Sequence, residues 1–397
     1  MAENKNTKPF YNTEIPEDWE VKYFKDVADI DKESLNGKTA KDYEFDYISL
    51  SDVDSNDSIY ETTKQIFSTA PSRARRIVKK GDVLMSTVRS NLQGFLFIKD
   101  DVKDLIASTG FAVITSNKCH NEYLYQYLFS TGIGRQFHQL LVGSNYPAIN
   151  SSDVRKLKIP LPPLPEQRAI ANLLSTWDTA ISKHKQLIAQ KELRKKWLMH
   201  NLLTGKKRLT GFRGEWKDHY LGDMFSERNE RNTKGLPLLS IGQNGVYPQD
   251  ESIKKDTSNS DKSKYKRICP GDIGYNTMRM WQGRSALSEL EGIVSPAYTI
   301  LKPKQNVDSL FFSYLFKTPK LINLFWRNSQ GLVNDTLNCK FKDFRIVKVK
   351  LPEKEEQTAI AQVLQTADKE IELLKAKTEK LKQQKKGLMQ VLLTGKK

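Results

Sequence analysis

"LPPLPEQRAIANLL", Leu161 to Leu174, joins a proline-rich run to an amphipathic stretch, and much of it returns as "LPEKEEQTAIAQVL", Leu351 to Leu364. Glu356-Gln357 stand 190 residues after Glu166-Gln167. The same offset relates Ala359-Ile360-Ala361 to Ala169-Ile170-Ala171, Asp368 and Ile371 to Asp178 and Ile181, and the second "LLTGKK" (Leu392–Lys397) to the first (Leu202–Lys207). Upstream, Asp343 answers Asp153, "VKLP" (Val349–Pro352) answers "IPLP" (Ile159–Pro162), and "GDIGYNTMR" (Gly271–Arg279) answers "GDVLMSTVR" (Gly81–Arg89). With small gaps, Tyr314-Leu315-Phe316 matches Tyr127-Leu128-Phe129, and Trp216 and Asp223 match Trp19 and Asp26. A gap-free register over roughly fifty residues marks a tandem duplication of a unit of roughly 195 residues.

The junction opens a helix in each copy. Pro165 and Glu166 suit a first turn, where a missing N–H costs nothing and a carboxylate meets the positive helix end. In the first helix Ile170, Trp177, His184, Lys191 and Leu198 form one heptad row, and Leu174, Ile181, Ile188, Lys195 and Leu202 the other. In the second the rows are Ile360, Ala367, Leu374, Leu381, Leu388 and Leu364, Ile371, Thr378, Lys385, Leu392. Gly205 and Gly395 stop the helices, giving rods of about 37 residues, roughly 55 Å at 1.5 Å each. A lone amphipathic helix packs on its own domain. Two in the same heptad phase favour pairing with each other, antiparallel and pseudo-two-fold. Lys191, Lys195 and Lys385 fall in the seam and are read as weak points where the rods splay or a partner docks.

Before each helix, short β-like runs ("DYISLSDV", "VLMSTV", "GFLFI", "FAVIT") alternate with turn residues, and Tyr123–Phe129 and Leu310–Phe316 read as helices. The fold class is therefore α+β: two compact mixed α/β domains in tandem with two long helices.

The chain has 397 residues, a net charge of +17 and a pI of about 9.5, which points to a polyanionic partner. No run of eighteen or more apolar residues exists and the polar N-terminal stretch has no apolar signal core, so nucleic acid is favoured over membrane and a cytoplasmic location is expected. Cys119, Cys269 and Cys339 are too far apart in sequence for a CxxC site and odd in number, so no disulfide framework or metal site is expected.

Two basic runs stand at matching places, each directly before a Gly-Asp pair: Arg73, Arg75, Arg76, Lys79 and Lys80, then Lys262, Lys264, Lys266 and Arg267. A charge run is usually a solvated face. Its repetition at one location makes phosphate contact the competing reading. After each Gly-Asp comes a donor-rich loop: Ser86, Thr87, Arg89, Asn91 and Gln93, then Asn276, Thr277, Arg279, Gln282 and Arg284. Arginine pairs with guanine and Asn or Gln with adenine in the major groove, so these are candidates for base reading. Arg89 and Arg279, being shared, fit a structural or phosphate role better, since residues specifying different bases should differ. A third loop offers Asn145 and Tyr146, then Asn334 and Asn338.

The P-L-P-x-x-E-Q-x-x-I-A junction, its second copy with Lys354-Glu355 in place of Leu164-Pro165, the paired "LMHNLLTGK" and "LMQVLLTGK", and the "GDVLMSTVR" motif give the chain its resemblance to the specificity subunit of Type I restriction–modification enzymes, over nearly its whole length. The resemblance implies a first target-recognition domain at 1–160, a central conserved helical region at 161–207, a second target-recognition domain at 208–350 and a C-terminal conserved helical region at 351–397. It implies that each domain reads half of a split sequence in double-stranded DNA, and that an antiparallel coiled coil acts as a ruler between them. It also implies two methyltransferase subunits docked on the helical regions, and restriction (motor) subunits where present. S-adenosylmethionine would sit on the methyltransferase subunits and ATP and Mg on the motor subunits, with no cofactor on this chain.

Catalytic motifs are missing from the sequence. There is no (N/D)-P-P-(Y/F) base pocket, no G-x-x-x-x-G-K-[ST] phosphate loop and no HExxH, and five histidines are scattered. The expected function is a non-catalytic, sequence-specific DNA-binding subunit. Its rivals are a non-specific nucleic-acid scaffold, which the basic runs suit but the divergent loops do not, and a self-contained methyltransferase or nuclease.

Overall fold

The computed structural model describes residues 6–11, 13–54, 59–88, 93–141, 148–233, 235–242, 245–251, 261–331 and 336–395. The chain forms two compact units: residues 1–186 with 375–397, and residues 187–374.

In the first unit, Phe95–Phe97, Val83–Ser86, Phe111–Ser116 and Ala28–Ile30 form an antiparallel sheet in that order. Its central strand carries the apolar run of "VLMS", and strand alternation explains why no polar residue interrupts it. Val83 and Met85 enter a core with Trp19, Phe24 and Tyr123, while Leu84 enters a second core with Ile48, Leu96 and Val113. Over that second core lies a sheet ordered Thr63–Ile66, Glu44–Ile48, Leu105–Ser108, Ala74–Val78, whose middle pair is parallel. "DYISLSDV" is not one strand: it stops at Ile48 and turns through a 3-10 turn at Leu50–Asp52. The expected helix after the sheets spans Asn121–Tyr127.

The second unit repeats the first sheet in the same order: Ser285–Leu287, Ile273–Asn276, Tyr298–Pro303, Phe225–Glu227. Among the described residues its second sheet consists of Lys266–Ile268 paired with Gly292–Val294, a hairpin of Leu239–Ile241 with Val246–Pro248, and one parallel bridge from Leu238 to Ile293. The core beneath shrinks accordingly. Gly274 stands where the first unit has Leu84, and a Cβ there would come within 2.2 Å of Ile241 Cδ1.

The junction motif has the same anatomy twice. "KIPL" pairs antiparallel with Glu20–Tyr23, and "KVKL" with Lys217–Tyr220. Each strand leads into a 39-residue helix, Leu164–Leu202 and Lys354–Leu392. The Lys354-Glu355 substitution leaves the helix start unmoved. The reason is the glutamine of the motif, which is buried in both copies. Gln167 accepts from the His120 N–H (2.9 Å) and donates to the Pro162 carbonyl (2.8 Å). Gln357 accepts from the Asp308 N–H (3.1 Å) and donates to the Pro352 carbonyl (3.0 Å). His120 and Asp308 cap the short domain helices, so one amide ties the long helix to its domain.

Both readings of the long helices hold, over different turns. Ile170, Ala171 and Leu174 lie in the first unit's core, and Ile360, Ala361 and Leu364 in the second's, so each helix begins on its own domain. Further along, the partner is the other helix, antiparallel: in the second unit Lys191 meets Glu370 and Lys195 meets Asp368. The lysines of the seam therefore do not splay the rods. Lys195 and Lys385 each pair with a carboxylate of the facing helix, Asp368 and Asp178, and all four residues belong to one duplicated pair. Each aspartate also accepts a domain hydrogen bond, Asp178 from Gln126 and Asp368 from Tyr314. The helix ends cross over: Met389 and Leu393 complete the first unit's core, Leu202 and Leu203 the second's. Gly395 (φ 65°) then turns beside Pro16 and Trp19, and Gly205 (φ 70°) beside Trp216.

Candidate nucleic-acid interface

The Gly-Asp pair is a turn-and-cap device. In Lys79-Lys80-Gly81-Asp82 and Cys269-Pro270-Gly271-Asp272 the fourth N–H bonds to the first carbonyl, at 3.1 and 3.0 Å. The third residue has φ of 87° and 88°, as a type II turn requires of glycine. The aspartates are buried and close the turn by accepting from the Lys79 and Cys269 N–H groups, both at 2.8 Å. Burial raises the Asp82 carboxyl above its ordinary range, against the opposing hydrogen bonds from Thr115 and Lys79. Asp272 is instead met by the Arg228 guanidinium at 2.7 Å, and that contact raises the arginine further.

The basic runs span the strands entering these turns and the residues flanking them, and their charges divide. Lys79 and Lys80 hold surface carboxylates, Glu33 and Asp101; such exposed pairs are worth little and can exchange for phosphate. Arg73 and Lys264 are exposed. Lys262 lies over the Tyr265 ring (4.8 Å) and Arg75 over the Phe67 ring (4.9 Å). Arg267 is held by Glu230 (2.8 Å) and Glu291 (2.6 Å). Arg76 and Lys266 take the same register position in their strands and turn inward. Arg76 meets the buried Asp31 at 3.0 Å, and Lys266 meets Glu227 at 3.2 Å and the Tyr298 carbonyl at 2.9 Å. The structure commits these two to holding the domain together.

The loops after the turns divide likewise. Ser86 and Thr87 are buried, donating to the Val88 and Gly110 carbonyls. Asn276 accepts from the Met278 N–H and Thr277 donates to the Ala297 carbonyl. Arg279 caps the short Met280–Gln282 turn. Gln93, Gln282 and Arg284 are exposed. Arg89, Asn91, Asn145, Tyr146 and Asn334 lie outside the described residues. The third loop is brought to the second by one repeated bond, Ile149 N–H to Thr87 O (2.9 Å) and Cys339 N–H to Thr277 O (2.8 Å). Asn338 sits beside that bond with its buried Oδ1 unpaired.

Three cations near Asn338 escaped the sequence reading: Lys340, Lys342 and Arg345. Their K-x-K-x-x-R spacing was visible, but nothing in sequence joined them to Thr277. Nucleophilic chemistry has no support from the thiols: burial pushes Cys119 up to about 11 and Cys339 up to about 12. Among the described residues no group of three His, Cys, Asp or Glu is placed to hold a metal, and no helix is long and apolar enough to cross a membrane.

Comparison with known proteins supplies the family. A putative type I restriction enzyme MjaX specificity subunit from Methanocaldococcus jannaschii is 28% identical over 425 residues, covering 96% of this chain and 94% of the relative. The type I restriction enzyme MjaVIII specificity subunit of the same organism is 31% identical over 220 residues, 53% of this chain and 51% of the relative. The fold is shared with the HsdS subunit from Thermoanaerobacter tengcongensis at TM-score 0.55 and 23% identity, over 98% of this chain and 99% of that one. It is also shared with a chain from a study of complex assembly in the type I R-M system, at TM-score 0.62 and 21% identity, over 96% and 99%. The family described as the Type I restriction modification DNA specificity domain matches residues 16–192 and again 214–383, and the chain belongs to that family.

Proposed function

We propose that the chain reads a bipartite site in double-stranded DNA, one half-site per unit, and directs the modification and restriction subunits of a Type I system to it. It supplies no catalysis. Two methyltransferase subunits carry S-adenosylmethionine, and motor subunits, where present, carry ATP and Mg. One observation carries this reading: a single scaffold is built twice on the same inward-facing residues, while the exposed side chains around its loops differ between the copies. A scaffold that only neutralised DNA would have no use for two different surfaces on one frame.

The test exchanges one reader. Residues 10–150 are replaced by the corresponding domain of a relative, and methylated sites are mapped in a host carrying the chain and its methyltransferase subunits. One half-site should change and the other stay as it was. Joint change of both half-sites would overturn independent reading.

A further inference from the structure

The second unit has an open cleft of about 550 Å³ whose walls include Glu227, Lys266, Asn338, Lys340, Lys342 and Arg345. Lys266 already neutralises Glu227 at the floor. Lys340, Lys342 and Arg345 are exposed, and none has a side-chain acid partner among the described residues. The site therefore presents three uncompensated cations. Asn338 adds a buried Oδ1 with no donor among the described residues.

The first unit shows what the same place looks like when the protein fills it. Asn150, Ser151 and Arg155 occupy the positions of Lys340, Phe341 and Arg345 at the 190-residue offset. There Ser151 and Arg76 both bond Asp31, and Arg155 donates to the Ile30 carbonyl at 2.8 Å. Ser151 and both arginines are spent on the protein's own groups. In the second unit Lys266 is likewise spent, on Glu227, but Arg345 faces the opening, and Lys340 and Lys342 stand where the first unit has the uncharged Asn150 and Ser152.

We propose that this cleft holds the DNA strand of the half-site read by the second unit, with a backbone phosphate between Lys340, Lys342 and Arg345 and the Asn338 amide on the edge of the adjacent base. The inference rests on the reading given under Proposed function. Three cations alone would suit any phosphate. The Asn338 amide narrows the choice: it lines the cleft, and turning it about its Cβ–Cγ bond brings the Oδ1, unpaired among the described residues, to the opening, where a phosphate dianion offers few or no protons but adenine and cytosine each present an exocyclic amine. A nucleotide strand satisfies both features at once.

The experiment uses the full chain assembled with its methyltransferase subunits, bound to duplexes carrying the mapped target or a scrambled one, over a range of salt. Replacing all three cations (Lys340→Gln, Lys342→Gln, Arg345→Gln) should weaken both duplexes alike and reduce the salt slope by about 0.9 per lost contact. Lys342→Gln alone is an exposed change that keeps the test usable if the triple variant does not fold; its slope should fall by about 0.9. Asn338→Ala should relax one base of one half-site by about 5- to 150-fold, with the salt slope and the other half-site unchanged. An unchanged slope in both charge variants, or wild-type base preference in Asn338→Ala, would overturn the proposal. A wild-type complex that bound target and scrambled duplex equally would overturn the underlying reading instead, before any substitution is made.

Discussion

The two units share a frame and differ in how fully they occupy it. The first has a complete four-stranded second sheet and a closed polar cluster around Asp31. The second has strand fragments there, Gly274 where a leucine would be, and an open basic cleft. What they have in common is bonded to the chain's own groups: the Gly-Asp turns, Gln167 and Gln357, and the Asp–Lys pair of the helices. What separates them lies at the loops and the cleft. Duplication preserved the residues whose partners are other parts of the chain, and left free those whose partners are not.

If the frame is shared but unequally filled, equivalent substitutions should cost unequal amounts. The largest contrast concerns the tryptophans beside the helix ends. Trp19 is 1% exposed within the first core, whereas Trp216 is only partly buried against the second. Trp19→Ala should destabilise the first unit by about 3–5 kcal/mol, and Trp216→Ala the second by about 1–2 kcal/mol. Hydrogen exchange followed peptide by peptide assigns each loss to its unit. Equal losses would mean that the two helix ends dock equally tightly.

A second contrast concerns the glutamate of the junction. Glu356 is 3% exposed and receives two hydrogen bonds from Arg208, at 2.5 and 2.6 Å, while Glu166 is exposed. Arg208→Ala leaves a buried carboxylate without its cation and should cost about 3 kcal/mol, read as a lower denaturation midpoint. Glu166→Ala should stay within about 0.5 kcal/mol. A small effect of Arg208→Ala would show that water reaches Glu356.

The smallest effect is the one expected to be equal. Asp178–Lys385 and Asp368–Lys195 are the same pair in the two units, partly exposed in both. Double-mutant cycles should give coupling of about 0.5–1 kcal/mol for each, falling as salt rises. A clear difference between the two cycles would show that the duplicated pairs are not equivalent.

The sequence by itself determined the elements and their repetition. Heptad spacing identified both long helices, because a 3.5-residue apolar period leaves one continuous face to bury, and Pro165-Glu166 placed the first start within two residues of Leu164. The repeated Gly-Asp pair was legible as a landmark, but that Gly81 and Gly271 take a φ only glycine adopts without strain came from the structure. The direction of the charges was not legible. Arg75 and Arg76 are neighbours on one strand, so pleating sends them to opposite faces, and which face is wet depends on whether Asp31 lies beneath it. Nor could the seam lysines be read alone, since their carboxylates stand on the other helix more than 170 residues away. Tertiary structure also decided which helix end completes which core. The two "LLTGK" segments are identical, so they carry no preference of their own, and antiparallel pairing gives each unit the end of the helix it did not begin.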